Sequence, residues 1–131
     1  MIIWLASYPK SGNTWIRFFI NSLLYTKEGK GNLSNIANIR AFPKPEQFIN
    51  LVKNVNDIKE VSKNWTMAQK IINLDKKIKF IKTHNILCKL NGNFFTDLNN
   101  TLGVIYIVRD PRNVVTSILN HFVKKYLKIM K

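Results

Sequence analysis

The sequence predicts an α/β fold, a parallel sheet flanked by helices. Three observations carry that prediction: short apolar runs rich in strand-forming residues, helical periodicity between them, and turn residues where one pattern gives way to the other. The runs are IIWLA at Ile2 to Ala6, KFIKT at Lys79 to Thr83 and VIYIV at Val104 to Val108. Each is short and apolar enough for a buried strand. Helical segments between strands favour parallel pairing, and ligands of such sheets bind beyond the carboxyl ends of the strands.

The elements follow in order. From Thr14 to Tyr25 apolar residues recur at helical spacing, namely Trp15, Phe18, Phe19 and Leu23, with Arg17 and Asn21 between them and Gly29 as a stop. Lys30 to Lys44 is polar and irregular, with GKGN early and FPKP late, and reads as a loop able to close over a ligand. Pro45 opens a helix over Glu46 to Val55, a charged connection follows, and Trp65 to Leu74 gives another helix. After VIYIV, Asp110 is a good N-cap and Pro111 suits the first helical position. Val114, Val115, Ile118, Leu119 and Phe122 then make the stripe expected to face inward. No internal repeat is present.

Composition bounds the rest. A chain of 131 residues, 46% of them hydrophobic, buries a core of its own and reads as one domain over residues 1–131. The formal charge of +14, from 21 Lys and Arg against 7 Asp and Glu, points to an anionic partner. The lysines are spread along the chain, and Asn and Ile are comparably abundant, a joint bias that base composition alone can produce. A specific nucleic-acid reader is therefore not expected, although non-specific binding through the lysines stands as an alternative. The single Cys88 excludes an internal disulfide. Met1 to Ala6 lacks the basic region of a secretory signal, and no stretch is apolar for long enough to span a bilayer, so the expected location is cytoplasmic.

The chemistry concentrates in YPKSGNTW, Tyr8 to Trp15, between the first strand and the first helix. A helix N-terminus leaves backbone N–H groups without partners and carries partial positive charge, so such a turn is a ready anion site. Gly12 allows close backbone approach, Lys10 adds a full charge, and Ser11, Asn13 and Thr14 add donors, a set suited to phosphate or sulfate. The spacing is not that of a Walker A loop, whose lysine follows the second glycine. The bland alternatives are an ordinary turn capped by Ser11 or Asn13, and a core role for Trp15. Arg109 directly follows VIYIV and Ser117 lies on the next helix, so guanidinium and hydroxyl make a second anion cradle at the same sheet end. KTH, Lys82 to His84, ends the middle strand, where His84 is either a general base or a satisfied histidine. His121 reads as structural. Asp110, which a Walker B reading would claim, is explained by its capping position.

These three segments together resemble the cytosolic-type, PAPS-dependent sulfotransferases. YPKSGNTW is similar to their phosphosulfate-binding loop, KTH to the segment with their catalytic histidine, and YIVRDPRNVVTSILNHF to their 3′-phosphate-binding strand and helix. The order of the three agrees, and the resemblance runs from Ile2 to about Phe122. It implies a P-loop-like sulfotransferase fold with PAPS as sulfuryl donor and PAP as product. Lys10, Ser11, Gly12, Asn13 and Thr14 would bind the 5′ end, Trp15 would stack on adenine, and Arg109 and Ser117 would hold the 3′-phosphate. His84 would be the base towards a hydroxyl or amine acceptor, a small molecule or a glycan, with Lys10 and Lys82 adding charge at the moving group. No metal is implied. Asn13 stands where the family usually has a hydroxyl residue. The family's domain continues to a basic, glycine-containing segment that is not matched here, so the resemblance implies an amino-terminal portion, truncated at the C-terminus. That leaves two expectations: a partner chain or oligomer covering the open face, and either transfer activity or a non-catalytic remnant that binds PAPS or PAP. Acceptor specificity is expected in Lys30 to Lys44 and Ile86 to Asn93.

Overall fold

Strands form where the apolar runs predict them. The computed structural model describes every residue except Asn32, Ile86, Met130 and Lys131, together with all side chains but those of residues 33–35 and 124–129. In chain order the elements are β1 (Ile2–Ser7), α1 (Asn13–Tyr25), α2 (Ile58–Lys63), α3 (Trp65–Ile72), β2 (Lys79–Thr83), β3 (Lys89–Leu90), β4 (Asn93–Phe94), β5 (Thr101–Ile107) and α4 (Pro111–Ile129), with short 3₁₀ turns at Leu33–Asn38 and Pro45–Gln47. A parallel sheet in the order β2-β1-β5 is flanked by helices, while β3 and β4 pair as a separate antiparallel hairpin. The most apolar run, β1, takes the centre. Its register sets Trp4 opposite Ile81 and Val104, and Ser7 opposite Ile107. All three strands therefore end at one edge, and the turn after β1, the residues after β2 and those after β5 emerge side by side. No helix is long and apolar enough to cross a membrane among the described residues.

The core lies on one face of this sheet. Ile2, Trp4 and Ile81 pack against Phe42, Phe48, Val61, Trp65, Ala68 and Phe95, all of them buried. Ring centroids stand 5.2 Å apart for Trp4 and Phe95 and 5.3 Å for Trp65 and Phe95. Tilted aromatic pairs of this kind add about 0.5–1.5 kcal/mol each beyond the area they bury. A directed chain of hydrogen bonds crosses the same core. The Trp4 indole N–H donates to Thr101 Oγ1 (3.0 Å), Thr101 Oγ1 meets Thr96 Oγ1 (2.8 Å), and Thr96 Oγ1 donates to Gln69 Oε1 (2.6 Å). Gln69 Nε2 closes it by donating to the Phe95 carbonyl at 2.6 Å. Each polar group in the chain has a partner, so burying it costs little.

Several expectations are corrected. Lys30 to Lys44 is not a free lid. Ile39 and Phe42 are core residues, and Arg40 to Phe42 runs parallel beside β2 through Lys82 N–H to the Arg40 carbonyl and Phe42 N–H to the Lys82 carbonyl, both 2.9 Å. Arg17 fastens the segment to α1 by donating to the carbonyls of Ile36 and Ile39. The helix expected over Glu46 to Val55 is only a 3₁₀ turn at Pro45–Gln47 followed by turns, because Phe48 leaves the helical path to enter the core. The real helix begins later, where the Asp57 carboxylate accepts from the Lys59 N–H at 2.8 Å and caps α2.

The apolar side of α1 and the α4 stripe read as inward both look outward. On α1 the buried residues are Asn13, Asn21 and Ser22, whereas Trp15, Phe19 and Leu23 are exposed. On α4 only Val114 of the expected stripe is buried, Ile118 is half-buried, and Val115, Leu119 and Phe122 are exposed. β5 is likewise open, with Val104, Tyr106 and, just beyond the strand, Val108 more than half exposed. The physical reason is position: β5 is an edge strand, and most of its residues and of the α4 stripe are exposed.

Candidate active site

The turn from β1 into α1 is built by backbone conformation. Ser11 N–H donates to the Tyr8 carbonyl at 3.2 Å, Lys10 sits at φ 67° and Gly12 at φ 100°. Gly12 is the N-cap and no side chain caps the helix, so neither Ser11 nor Asn13 plays the ordinary capping role. The free N–H groups of the first turn stay available to an anion. Lys10 is a non-glycine residue in the left-handed region, a conformation that costs about 1–2 kcal/mol and that ligand clamps often hold.

The structure brings nearly all the expected site residues onto one cavity of about 340 Å³. Lys10, Gly12, Asn13, Thr14 and Trp15 line it from the turn, Lys82 and His84 from the end of β2, and Arg109 and Ser117 from beyond β5. Among the described residues no carboxylate lines it, while three cations do. The cradles touch directly, since Arg109 Nη1 donates to the Lys10 carbonyl at 3.2 Å. Trp15 is 77% exposed, which removes the core reading and leaves a free ring face at the rim. Burial, and then the nearby charges of Arg17 and Lys44, hold Lys82 below its ordinary value of 10.5. An anion placed there relieves that strain on the charge.

The family model described as Sulfotransferase domain matches residues 2–131. The chain belongs to the sulfotransferase domain family. No curated protein and no solved structure gives a match to set beside it. The family is one of enzymes that move a sulfuryl group, and the basic cavity of this sulfotransferase domain lies where its first helix and its strand ends meet.

Ser11 departs from the expected set. It is buried and lines a neighbouring cavity with Arg109, Val114 and Ile118, not the basic one. The Asn13 side chain is also committed elsewhere, donating to the Leu5 carbonyl at 2.9 Å and to Ser7 Oγ at 3.1 Å, so the donor it offers a ligand is its main-chain N–H. Asp110 caps α4, accepting from the Arg112 N–H at 2.9 Å, and the Arg112 side chain pairs with the same carboxylate and keeps its pKa low. His121 lines none of these cavities and rests on Phe122 on the exposed side of α4.

A second cavity, about 460 Å³, was not legible in the sequence of this sulfotransferase domain. It shares His84 with the basic one and is lined by Trp4, Ser7, Tyr8, Thr83, Leu87, Phe95, Val104 and Tyr106 among others, with no Lys, Arg, Asp or Glu among the described residues. Its residues come from four separate segments, and only the alternation along β1 and β5 placed Trp4, Ala6, Val104 and Tyr106 on one side. Ile86, in the segment expected to govern the acceptor, lies outside the described residues. The adjoining Asn91-Gly92 pair, both at positive φ, turns the β3–β4 hairpin.

Proposed function

We propose that this chain acts as one sulfotransferase domain that moves a sulfuryl group from PAPS to the hydroxyl or amine of an uncharged small molecule by in-line displacement. The observation that carries the reading is that His84 lines both cavities, the cationic one and the uncharged one. PAPS, when bound, supplies an activated sulfuryl group on a phosphosulfate anhydride. The cavity fits such a group: three cations, open N–H groups at a helix start and an exposed indole suit a nucleotide with anions at both ends. Lys10 and the first-turn N–H groups hold the 5′ end, Arg109 and Ser117 hold the 3′-phosphate, and the Trp15 ring receives the base. His84 takes the proton of the acceptor, and Lys82 and Lys10 offset the charge that gathers on the leaving side. This is catalysis by positioning and electrostatic preorganisation.

The acceptor side supports a small, apolar compound over an anionic glycan, because sulfates or carboxylates would find no cation in the second cavity. The free, half-buried Cys88 is compatible with a reducing compartment such as the cytoplasm. The open apolar surface of β5 and α4 supports a partner chain packing there. The test is turnover of PAPS with a panel of phenols, alkyl alcohols and amines, alongside calorimetry with PAP. His84→Ala should lower turnover by roughly 10²- to 10⁴-fold and leave PAP affinity intact. PAP binding without acceptor-dependent turnover in the unaltered chain would make it a nucleotide-binding module instead.

A further inference from the structure

The strongest feature outside the roles given so far is the group of contacts behind His84. Its Nδ1 lies 2.8 Å from the main-chain carbonyl of Ser7 and 3.3 Å from Ser7 Oγ. A carbonyl oxygen only accepts, so the closer contact requires the proton on Nδ1. A neutral imidazole carries one N–H, and the lone pair is then left on Nε2. Ser7 itself is held from behind. The Asn13 amide donates one N–H to Ser7 Oγ (3.1 Å) and one to the Leu5 carbonyl (2.9 Å), bridging the last residues of β1 to the first residue of α1. Asn13 and Ser7 are both more than nine-tenths buried, and Asn13 Oδ1 has no partner. With both acceptors served by Nδ2, the amide has a single sensible orientation.

We propose that Asn13 is a positioning residue for His84, acting through Ser7: it pins the end of β1 so that the Ser7 carbonyl fixes the Nδ1–H form of the ring and leaves Nε2 as the base. The inference rests on the reading of His84 as general base, but its first test does not. The amide does this from a position whose main-chain N–H belongs to the anion site, so one residue ties the nucleotide turn to the base. A hydroxyl at position 13 has one proton to give and could not serve both the Leu5 carbonyl and Ser7 Oγ as donor.

The direct measurement is the tautomer of His84 by nitrogen-15 NMR on histidine-labelled protein, with His84→Gln separating its signals from those of His121. The Nδ1–H form should dominate the neutral ring; dominance of the Nε2–H form would overturn the proposal, whether or not the chain turns over PAPS. In Asn13→Ala the population should shift towards Nε2–H by about two- to tenfold, the size of one ordinary hydrogen bond. The kcat should follow the Nδ1–H fraction and so fall by less than about twofold while that form still dominates, with PAP affinity unchanged. An unchanged tautomer ratio in that variant also sinks the idea. If Asn13→Ala does not fold, Asn13→Leu keeps the branched shape, buries no unpaired polar group or charge and still removes both donors. Its tautomer ratio should shift in the same direction, and an unshifted ratio there overturns the proposal equally. Absence of turnover with an Nδ1–H ring would count against the sulfuryl-transfer reading and leave the positioning role standing.

Discussion

Arg109 donates its Nη1 to the main-chain carbonyl of Lys10 at 3.2 Å, joining the residue after β5 to the turn after β1. This contact joins two cationic residues that are 99 positions apart in sequence into one basic wall. The guanidinium spends one donor there and has others left for a ligand. Arg109→Ala should weaken PAP binding by roughly 10- to 100-fold, corresponding to about 1.5–3 kcal/mol for hydrogen bonds to a charged group. Isothermal calorimetry on variant and parent checks it, and an affinity change under about threefold would mean that Arg109 does not touch the nucleotide.

Lys82 gives a pH dependence with a definite sign. Its folded pKa lies below the ordinary 10.5 because of burial and the charges of Arg17 and Lys44. The folded state therefore binds this proton less well than the unfolded chain does, which costs stability at neutral pH, and the cost fades as pH rises from the lowered value to 10.5. Lys82→Met should accordingly be as stable as the parent or more so at pH 7, with the gain shrinking towards pH ~10. Urea denaturation at the two pH values measures it. A parent that is more stable than the variant at pH 7 would contradict the sign.

Gly12→Ala isolates backbone strain. A Cβ at Gly12 would meet nothing within 4 Å, so crowding is not the issue, but φ is +100°. The substitution should cost about 1–2 kcal/mol through conformation alone. The midpoint of chemical denaturation reports it. A loss below about 0.5 kcal/mol would show the turn relaxing to another conformation.

The Trp4, Thr101, Thr96 and Gln69 chain should behave as a unit. Thr96→Val keeps the shape and removes a donor and an acceptor, leaving Gln69 Oε1 and Thr101 Oγ1 each short of a partner. The expected loss is about 1–3 kcal/mol. Adding Gln69→Leu to that variant should cost less than the sum of the two single changes, since both break the same chain. Strict additivity in a denaturant double-mutant cycle would rule the chain out as a coupled network.

The open face also has a measurable consequence. Val115, Leu119 and Phe122 are exposed on α4 and Val104 and Tyr106 on β5. The chain should bind an apolar dye such as ANS and associate in a concentration-dependent way seen by light scattering. Leu119→Lys should reduce both while shifting stability by no more than about 0.5 kcal/mol, as for any exposed position. Loss of folding in that variant would show that Leu119 is packed.

The residues themselves determined the parallel sheet, three strand cores, the helix after the YPKSGNTW turn, the Asp110 cap and, Ser11 excepted, which of the expected residues line the basic cavity. These were legible because they depend on local period, on turn chemistry and on the rule that parallel strands release their ligand residues at one end. Two further elements had local signals that composition obscured: Asp57 followed by Glu60 marks the start of α2, and Asn91-Gly92 marks a hairpin.

Only the tertiary structure decided the rest. Periodicity says which side of a helix is apolar, not what stands opposite it, so the outward face of α4 could be found only once β5 proved to be an edge. Phe42 and Phe48 looked like loop and helix residues until the core claimed them. The uncharged cavity and the reach of Asn13 to Leu5 and Ser7 arise from through-space proximity between segments, and neither leaves a period or a motif in the chain.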